Sequence, residues 1–455
     1  MENGNDLLLS LLPNLTNPLN YDKQIDLDGL SEGQCAAINS VLNGENILLT
    51  GPAGTGKSFT IEKIKQIFTH KLKKTIGITS TTGASAILIG GRTIHSWSGI
   101  GICGSKESAL KRVMTYAKPQ ARIEATSLLI IDEVSMMPSH VLDILNYVFK
   151  IVRRCSMPFG GIQVVLVGDF YQLSPVLCDK YAFEAECWSE LIHKVHELDF
   201  IFRQDNKNFC IALNEIRIAD VSLKTIELLA QCIHKEFKGD IKPTELYPIK
   251  ANVSEVNEYE LWELITEENR MQEFGALDEL IEKPKPKRPT SDRQLKGYRE
   301  RMNKDCIAPQ ILQLCIGAQV MLIHNLNVEA GLANGSRGIV IKFTEQGQPI
   351  VKFMNGHIVT IGTHVWYKWM NETTRYKRTQ YPLILAWAIT IHKVQGATLD
   401  LLKVDLGSTN FCDGQVYTAI SRAKTLEGLS IIAIDWDKII ANKKVKDFYN
   451  SYKKK

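Results

Sequence analysis

The chain has 455 residues, 44% hydrophobic and 23% charged, proportions that suit soluble globular domains and exclude collagenous, mucin-like and wholly disordered chains. At roughly 150 residues per domain, the length suits about three domains. Lys and Arg number 54 against 50 Asp and Glu, a net +4, which is too weak by itself to mark a nucleic-acid binder, because charge must cluster to act as a footprint.

Residues 1–26 read as an N-terminal extension. Its opening, MENGNDLLLS, is acidic and resembles neither a signal peptide nor an arginine-rich transit peptide. Ten cysteines without a CxxC pair fit reduced thiols inside a cell rather than a zinc ribbon or a disulfide framework. The longest uncharged run, Thr75–Gly91, is full of Gly, Ser and Thr and does not suit a bilayer. The expectation is a soluble intracellular protein with no membrane partner, nucleus and cytoplasm both remaining open.

Apolar runs at Asn46–Thr50, Ser127–Ile131 and Gln163–Val167, with a less apolar fourth at Thr75–Thr79, predict parallel strands covered on both faces. Helical patterns such as Ser58–Phe68 and His140–Val152 lie between them, so the fold class is α/β, an open parallel sheet with helices on both faces. The first strand runs into GPAGTGKS, Gly51–Ser58, which fits G-x-x-x-x-G-K-[ST] between a strand and a helix. Its glycines let successive N–H groups curl round phosphates, and the helix N-terminus adds positive potential. Gly51, Ala53, Gly54, Thr55, Gly56, Lys57 and Ser58 are therefore expected to bind ATP, Lys57 reaching the β- and γ-phosphates and Ser58 ligating Mg²⁺. In LLIIDEVSM, Asp132 comes at a strand end to hold the metal, normally through a water, and Glu133 is placed to orient or deprotonate the attacking water. In VLVGDFYQLSPV, Gln172 follows another buried strand, where an amide can bond both a γ-phosphate and a water.

Beyond residue 205 the pattern weakens. Leu223–His234 and Val253–Glu273 read as helices, the second charged and amphipathic. Lys283–Lys304 carries nine Lys/Arg against two acids, with prolines at 284, 286 and 289 that block helix and strand there; a solvated loop, a phosphate-contacting arm and a nuclear import signal all fit. From Gln310 to Thr363 short β segments alternate with Asn334-Gly335, Gln346-Gly347 and Asn355-Gly356, which predict hairpins and a small β-barrel inserted at about 311–378. The α/β pattern resumes at Pro382–Thr390, Leu402–Asp405 and Ser430–Ile434.

Taken together, these motifs resemble superfamily-one helicases, specifically the petite-integration-frequency (PIF) family of DNA helicases. Thr79–Gly101, Met157–Val176, FRQ at Phe202–Gln204, LNEIRIAD at Leu213–Asp220, GAQVMLIHN, GLANGSRGIV, LAWAITIHKVQGATLD and VYTAISRAK follow the family's order from about residue 25 to 435. Val394 stands where the family usually has Ser, and Ala219 where Gly is usual. The resemblance implies two RecA-like P-loop motor domains, 27–205 with a wedge subdomain at about 96–123, and 206–455 with the β insert. It implies Gln34 as the adenine-reading glutamine, Arg203 and Arg422 as arginines aimed at the γ-phosphate, and Gln395 as the link between ATP and DNA sites. Thr82, His95, Ser96, Thr390, His392 and Lys393 match segments that meet the DNA backbone, and Trp97 is a candidate for base stacking.

The implied activity is ATP- and Mg²⁺-dependent 5′-to-3′ translocation on single-stranded DNA and unwinding of forked or partial duplexes, in replication, repair or recombination, by a monomer or a weak DNA-induced oligomer. A DNA-stimulated ATPase switch that never unwinds, and an RNA helicase, are the rival readings.

Overall fold

The structure is a computed structural model that describes residues 27–101, 104–175, 178, 180–204, 206–237, 241–247, 250–282, 290–327, 330–371, 374–391, 398–407 and 413–453. Six parallel strands build the first lobe: β1 (Ile47–Thr50), β2 (Ile76–Ser80), β3 (Arg92–Thr93), β4 (Leu128–Asp132), β5 (Gln163–Val167) and β6 (Lys194–Glu197), in the order β3-β2-β4-β5-β1-β6. β1 and β4 are buried along their whole length, because one sheet face packs on the core of Ile38, Ile61 and Ile64 and the other on that of Leu142, Leu145 and Phe149. Helix Ser139–Val152 buries Val141, Leu142, Ile144, Leu145, Val148, Phe149 and Val152, an apolar stripe at helical spacing.

The remaining strands are β7 (Thr244–Tyr247), β8 (Gln272–Gly275), β9 (Leu277–Glu282), β10 (Ile311–Leu314), β11 (Gln319–Leu322), β12 (Arg337–Phe343), β13 (Pro349–Phe353), β14 (Ile358–Thr360), β15 (His364–Trp369), β16 (Thr374–Gln380), β17 (Leu383–Leu385), β18 (Ala388–Thr390), β19 (Leu402–Leu406) and β20 (Leu429–Ile434). A second parallel sheet, β18-β7-β19-β20, carries its own core around Leu246, Ile389, Val404 and Ile431. The chain is thus α/β with two parallel sheets.

Between β7 and β18 runs an antiparallel insert of three small sheets, β14-β13-β12-β11-β17, β15-β16-β9 and β10-β8. It is wider than the sequence suggested. β8 and β9 precede residue 311, and β17 follows 378. β9 reads LDELIE and looks polar, but it pairs with basic β16, placing Asp278 against Arg378 and Glu279 against Lys377. The helix expected through Glu273 ends at Trp262. The Gln346-Gly347 and Asn355-Gly356 pairs do turn hairpins, whereas Asn334-Gly335 sits in a long connection from β11 to β12. Within Lys283–Lys304, residues 283–289 lie outside the described residues. Ser291 then starts helix Asp292–Asp305 through a reciprocal cap with Gln294.

The last helix, Lys443–Lys453, falls in the segment expected to belong to the second domain. It crosses back and buries Val445, Phe448 and Tyr449 in the first lobe's core. The Tyr449 hydroxyl lies 2.7 Å from that of Thr50, at the end of β1, and accepts the Phe170 N–H at 3.2 Å. Among the described residues no helix is long and apolar enough to cross a membrane, and the described cysteines are free.

Candidate functional site

β1 ends at buried Thr50, and Gly51–Ser58 curls from it into helix Lys57–Gln66. The turn needs its glycines: a Cβ on Gly54 would stand 2.6 Å from the Arg203 Cβ, and one on Gly56 2.5 Å from Gln34 Nε2, each at a positive φ. The Lys57 ammonium bends back to donate to the carbonyls of Gly51 (2.7 Å) and Pro52 (2.9 Å). Burial pulls its pKa down to about 8, although Asp169, Glu133 and Asp132 oppose the shift. The loop therefore presents a lysine and a helix N-terminus toward one cavity, the pattern of an anion site.

β4 delivers the acidic pair. Burial pushes the Asp132 carboxyl up to about 6, against the Glu133 N–H, which donates to Oδ1 at 2.9 Å, and the charge of Lys57. Glu133 sits in the left-handed region at φ 55°, a conformation that costs a non-glycine residue on the order of 1 kcal/mol. The Thr81 hydroxyl pins it by donating to its carbonyl at 2.8 Å. Gln172 is buried in the loop after β5 and lines the same cavity.

The opposite wall carries two guanidinium groups. Arg203 donates from Nη1 to the Ser421 carbonyl (3.0 Å), and Arg422 from Nε to the Thr418 carbonyl (3.0 Å) and from Nη2 to Ser421 Oγ (2.9 Å). Both line the cavity, which measures about 740 Å³ and opens between the lobes. Burial and the neighbouring Arg422 charge pull Arg203 down to about 9, and burial also lowers Arg422. Two desolvated cations facing a phosphate loop form an environment that an anion stabilises.

Helix Gln415–Ile420 holds this wall against the loop, because the Ala53 N–H donates to the buried Tyr417 hydroxyl at 2.8 Å.

Gln34 lies directly behind Gly56 but outside the cavity lining. Its Oε1 accepts the Ser31 N–H in its own helix cap, and its Nε2 reaches the Gly56 carbonyl at 3.4 Å. Phe202, half-exposed beside Gly56, does line the cavity; the aromatic in FRQ was its signal in the sequence. Also missed was Arg217, on helix Lys207–Ile218. It grips Asp169 with two bonds (2.9 and 3.0 Å) and Glu197 with a third (3.0 Å), all three meeting where the lobes touch. Tyr171 and Tyr449 cover its guanidinium at 4.7 and 5.4 Å, and against the pull of burial the Asp169 carboxylate holds its pKa well above the ordinary value.

The expected strand-contacting residues scatter more. Thr82 caps helix Gly83–Leu88 by accepting the Ser85 N–H. Ser96 lines a small cleft between that segment and β15. Burial, and then the charge of His140, lower the pKa of His95. Trp97 must be corrected: it is only 4% exposed and packs edge-on against Phe149 at 6.0 Å, so it is a core tryptophan with no face for a base. Thr390 is buried on β18 with its hydroxyl unbonded. His392, Lys393 and Gln395 lie outside the described residues.

The fold and cleft define a two-lobed P-loop protein with arginines on the wall opposite the loop. Residues 29–217 match the PIF1-like helicase family model and residues 297–343 that of the DNA helicase Pif1 2B domain. The chain is 38% identical over 463 residues to the ATP-dependent DNA helicase PIF1 of Xenopus laevis, covering 100% of itself and 68% of that protein. It overlays the crystal structure of Pif1 helicase from Candida albicans with a TM-score of 0.73 at 33% identity (93% and 99% covered), and that of Bacteroides Pif1 bound to ssDNA with 0.60 at 30% identity (93% and 97%). The chain belongs to the PIF1-like helicase family. It spans 62% to 68% of the length of the vertebrate relatives it matches.

Proposed function

We propose that the chain is an ATP-driven DNA helicase that steps 5′-to-3′ along a single strand and opens forked or partial duplexes. The observation that carries this reading is the pair Arg203 and Arg422, set across one cleft from Lys57, Asp132 and Glu133. The backbone N–H groups of Gly54–Ser58 and the Lys57 ammonium would take the phosphates, releasing Lys57 from the Gly51 and Pro52 carbonyls. Phe202 offers a ring to the base, with Gln34 behind the loop as the adenine reader.

Ser58 and Asp132 are oxygen donors of the kind Mg²⁺ takes, and a carboxylate held near 6 by burial is one that a cation would ionise. When bound, the ion would neutralise charge on the phosphate oxygens. Glu133 orients a water for attack at the γ-phosphorus and accepts its proton as the bond to the β-phosphate oxygen breaks. Arg203 and Arg422 stabilise the charge that builds up, which is worth on the order of 10³–10⁵ in rate for such arginines. Gln172 bonds the water or the γ-phosphate and so responds to its departure.

Closing and opening of the cleft then alternates the two lobes' grip on the strand. The family resemblance and the named DNA-bound relative support DNA as the polymer, and the resemblance supports the polarity.

The test is ATPase turnover with and without single-stranded DNA or RNA, followed by single-turnover unwinding of duplexes with a 5′ or a 3′ tail. DNA-stimulated turnover and unwinding only from the 5′ tail is the expected result. Turnover without a displaced strand would make the protein a switch, stronger stimulation by RNA an RNA helicase, and unwinding from the 3′ tail alone would reverse the polarity.

A further inference from the structure

The hairpin β15–β16 has two different faces. Trp366, Met370 and Tyr376 turn inward on Met302 of helix Asp292–Asp305. The alternate positions, Tyr367 and Trp369 on β15 and their cross-strand partners Lys377 and Arg375 on β16, share the other face. Glu279 of the neighbouring β9 pairs with Lys377 at 2.7 Å, while the Arg375 guanidinium stacks 3.6 Å from the Tyr367 ring and 5.6 Å from that of Trp369. Rings interleaved with cations at a two-residue spacing are what a sequence-tolerant contact to a single strand requires, because every base has a π-face and every nucleotide a phosphate.

This face is turned toward the first lobe. Tyr367 and Trp369 line a small cleft with Gly83, Gly91, Arg92 and Ser96, in the segment expected to meet the strand. A second cavity of about 280 Å³ lies between Ile87 and Gly91 on one side and His364, Trp369 and Arg375 on the other, room for one nucleobase. The guanidinium of Arg92, carried by β3, lies 3.7 Å from the centre of the Trp369 ring. Arg92 is a first-lobe residue and Trp369 an insert residue, so this stack bridges the two bodies between which a strand would have to pass.

We propose that Trp369 is a base-stacking platform for single-stranded DNA, and that Arg92 occupies its ring face until a nucleobase displaces it. This inference rests on the proposed DNA-helicase reading. A flat guanidinium and a flat base take the same slot over an indole. A base stack is the stronger contact at a part-exposed ring, so the exchange is downhill. The first lobe and the insert would then be joined through the strand instead of through the Arg92–Trp369 stack.

Equilibrium binding of oligodeoxythymidylate by the full chain, wild type against Trp369→Ala, Trp369→Phe and Arg92→Gln, tests both halves. Trp369→Ala should weaken binding about ten-fold or more, with Trp369→Phe, which keeps a ring, close to wild type. Arg92→Gln should tighten binding several-fold, the reverse of what loss of an ordinary phosphate contact does. Equal binding by Trp369→Ala and Trp369→Phe would overturn the platform, and unchanged or weaker binding by Arg92→Gln would overturn the displacement. A wild-type chain that binds no oligodeoxythymidylate would instead sink the DNA-helicase reading itself.

Discussion

The nucleotide cleft and the β15–β16 face use the same residue types in opposite ways. In the cleft, Lys57, Arg203 and Arg422 are desolvated and each is fixed by hydrogen bonds to backbone carbonyls. Over the hairpin face, Arg375 of β16 and Arg92 of β3 rest on rings at part-exposed positions. Bond breaking at phosphorus needs donors held at fixed distances, because pre-set dipoles act without reorganising. Contact with a moving, sequence-blind polymer needs the reverse, a π-face and a flexible cation that exchange partners at little cost. Rigidity in this chain follows backbone anchoring, and adaptability follows stacking.

The largest expected effect breaks the rigid side. Arg422→Ala should lower DNA-stimulated kcat on the order of 10³-fold with a small change in KM for ATP, and Lys57→Ala and Glu133→Gln should abolish stimulated turnover, all read by steady-state hydrolysis. DNA-stimulated turnover that persists in the latter two variants would remove the site assignment. Next comes the joint between the lobes. Arg217→Met strips the buried Asp169 of its partner, a change that costs about 3–5 kcal/mol in comparable pairs, and the denaturation midpoint should fall accordingly.

The pH profile sharpens the comparison further. Asp132 must be a carboxylate to hold a cation and is protonated below about 6, while Lys57 loses its charge above about 8 in the nucleotide-free protein. Hence kcat/KM for ATP should rise through pH 6 and fall above pH 8. Nucleotide phosphates favour the charged lysine, so ATP binding above pH 8 should take up a proton, which calorimetry in buffers of different ionisation heat detects.

The smallest effect concerns Ala219, which ends helix Lys207–Ile218 in the left-handed region at φ 50°. Ala219→Gly should stabilise the protein by about 1 kcal/mol, visible as a higher melting temperature with turnover unchanged.

What could be read in advance divides along the same line. β1, β4 and β5 were legible because strands buried on both faces are written as unbroken apolar runs, and the loop, Asp132 and Glu133 follow directly from their ends. β9 and β16 were not. Their polar residues are satisfied by each other across the sheet, as in the two-pronged Asp278–Arg378 pair at 2.8 Å, and no local pattern reveals a partner about a hundred positions away. Arg217 was hidden for the same reason, its carboxylates lying on two other elements. Trp97 failed because motif context marks a neighbourhood, whereas its side chain turned into the core.

The polypeptide leaves the first lobe near residue 204 and returns to it at Lys443–Lys453, where Tyr449 docks against Thr50. A door hung on two pins swings only about the line through them; it neither slides nor twists freely. The Arg203 and Ser421 contact sits at the first of those crossings, and the Arg217–Asp169 and Ala53–Tyr417 bonds join the lobes between them, so any such swing must rearrange contacts made by residues that line the cleft. The last eleven residues of the described chain therefore tie the lobes together at a second place, and a chain cut before Lys443 is expected to lose DNA-stimulated turnover.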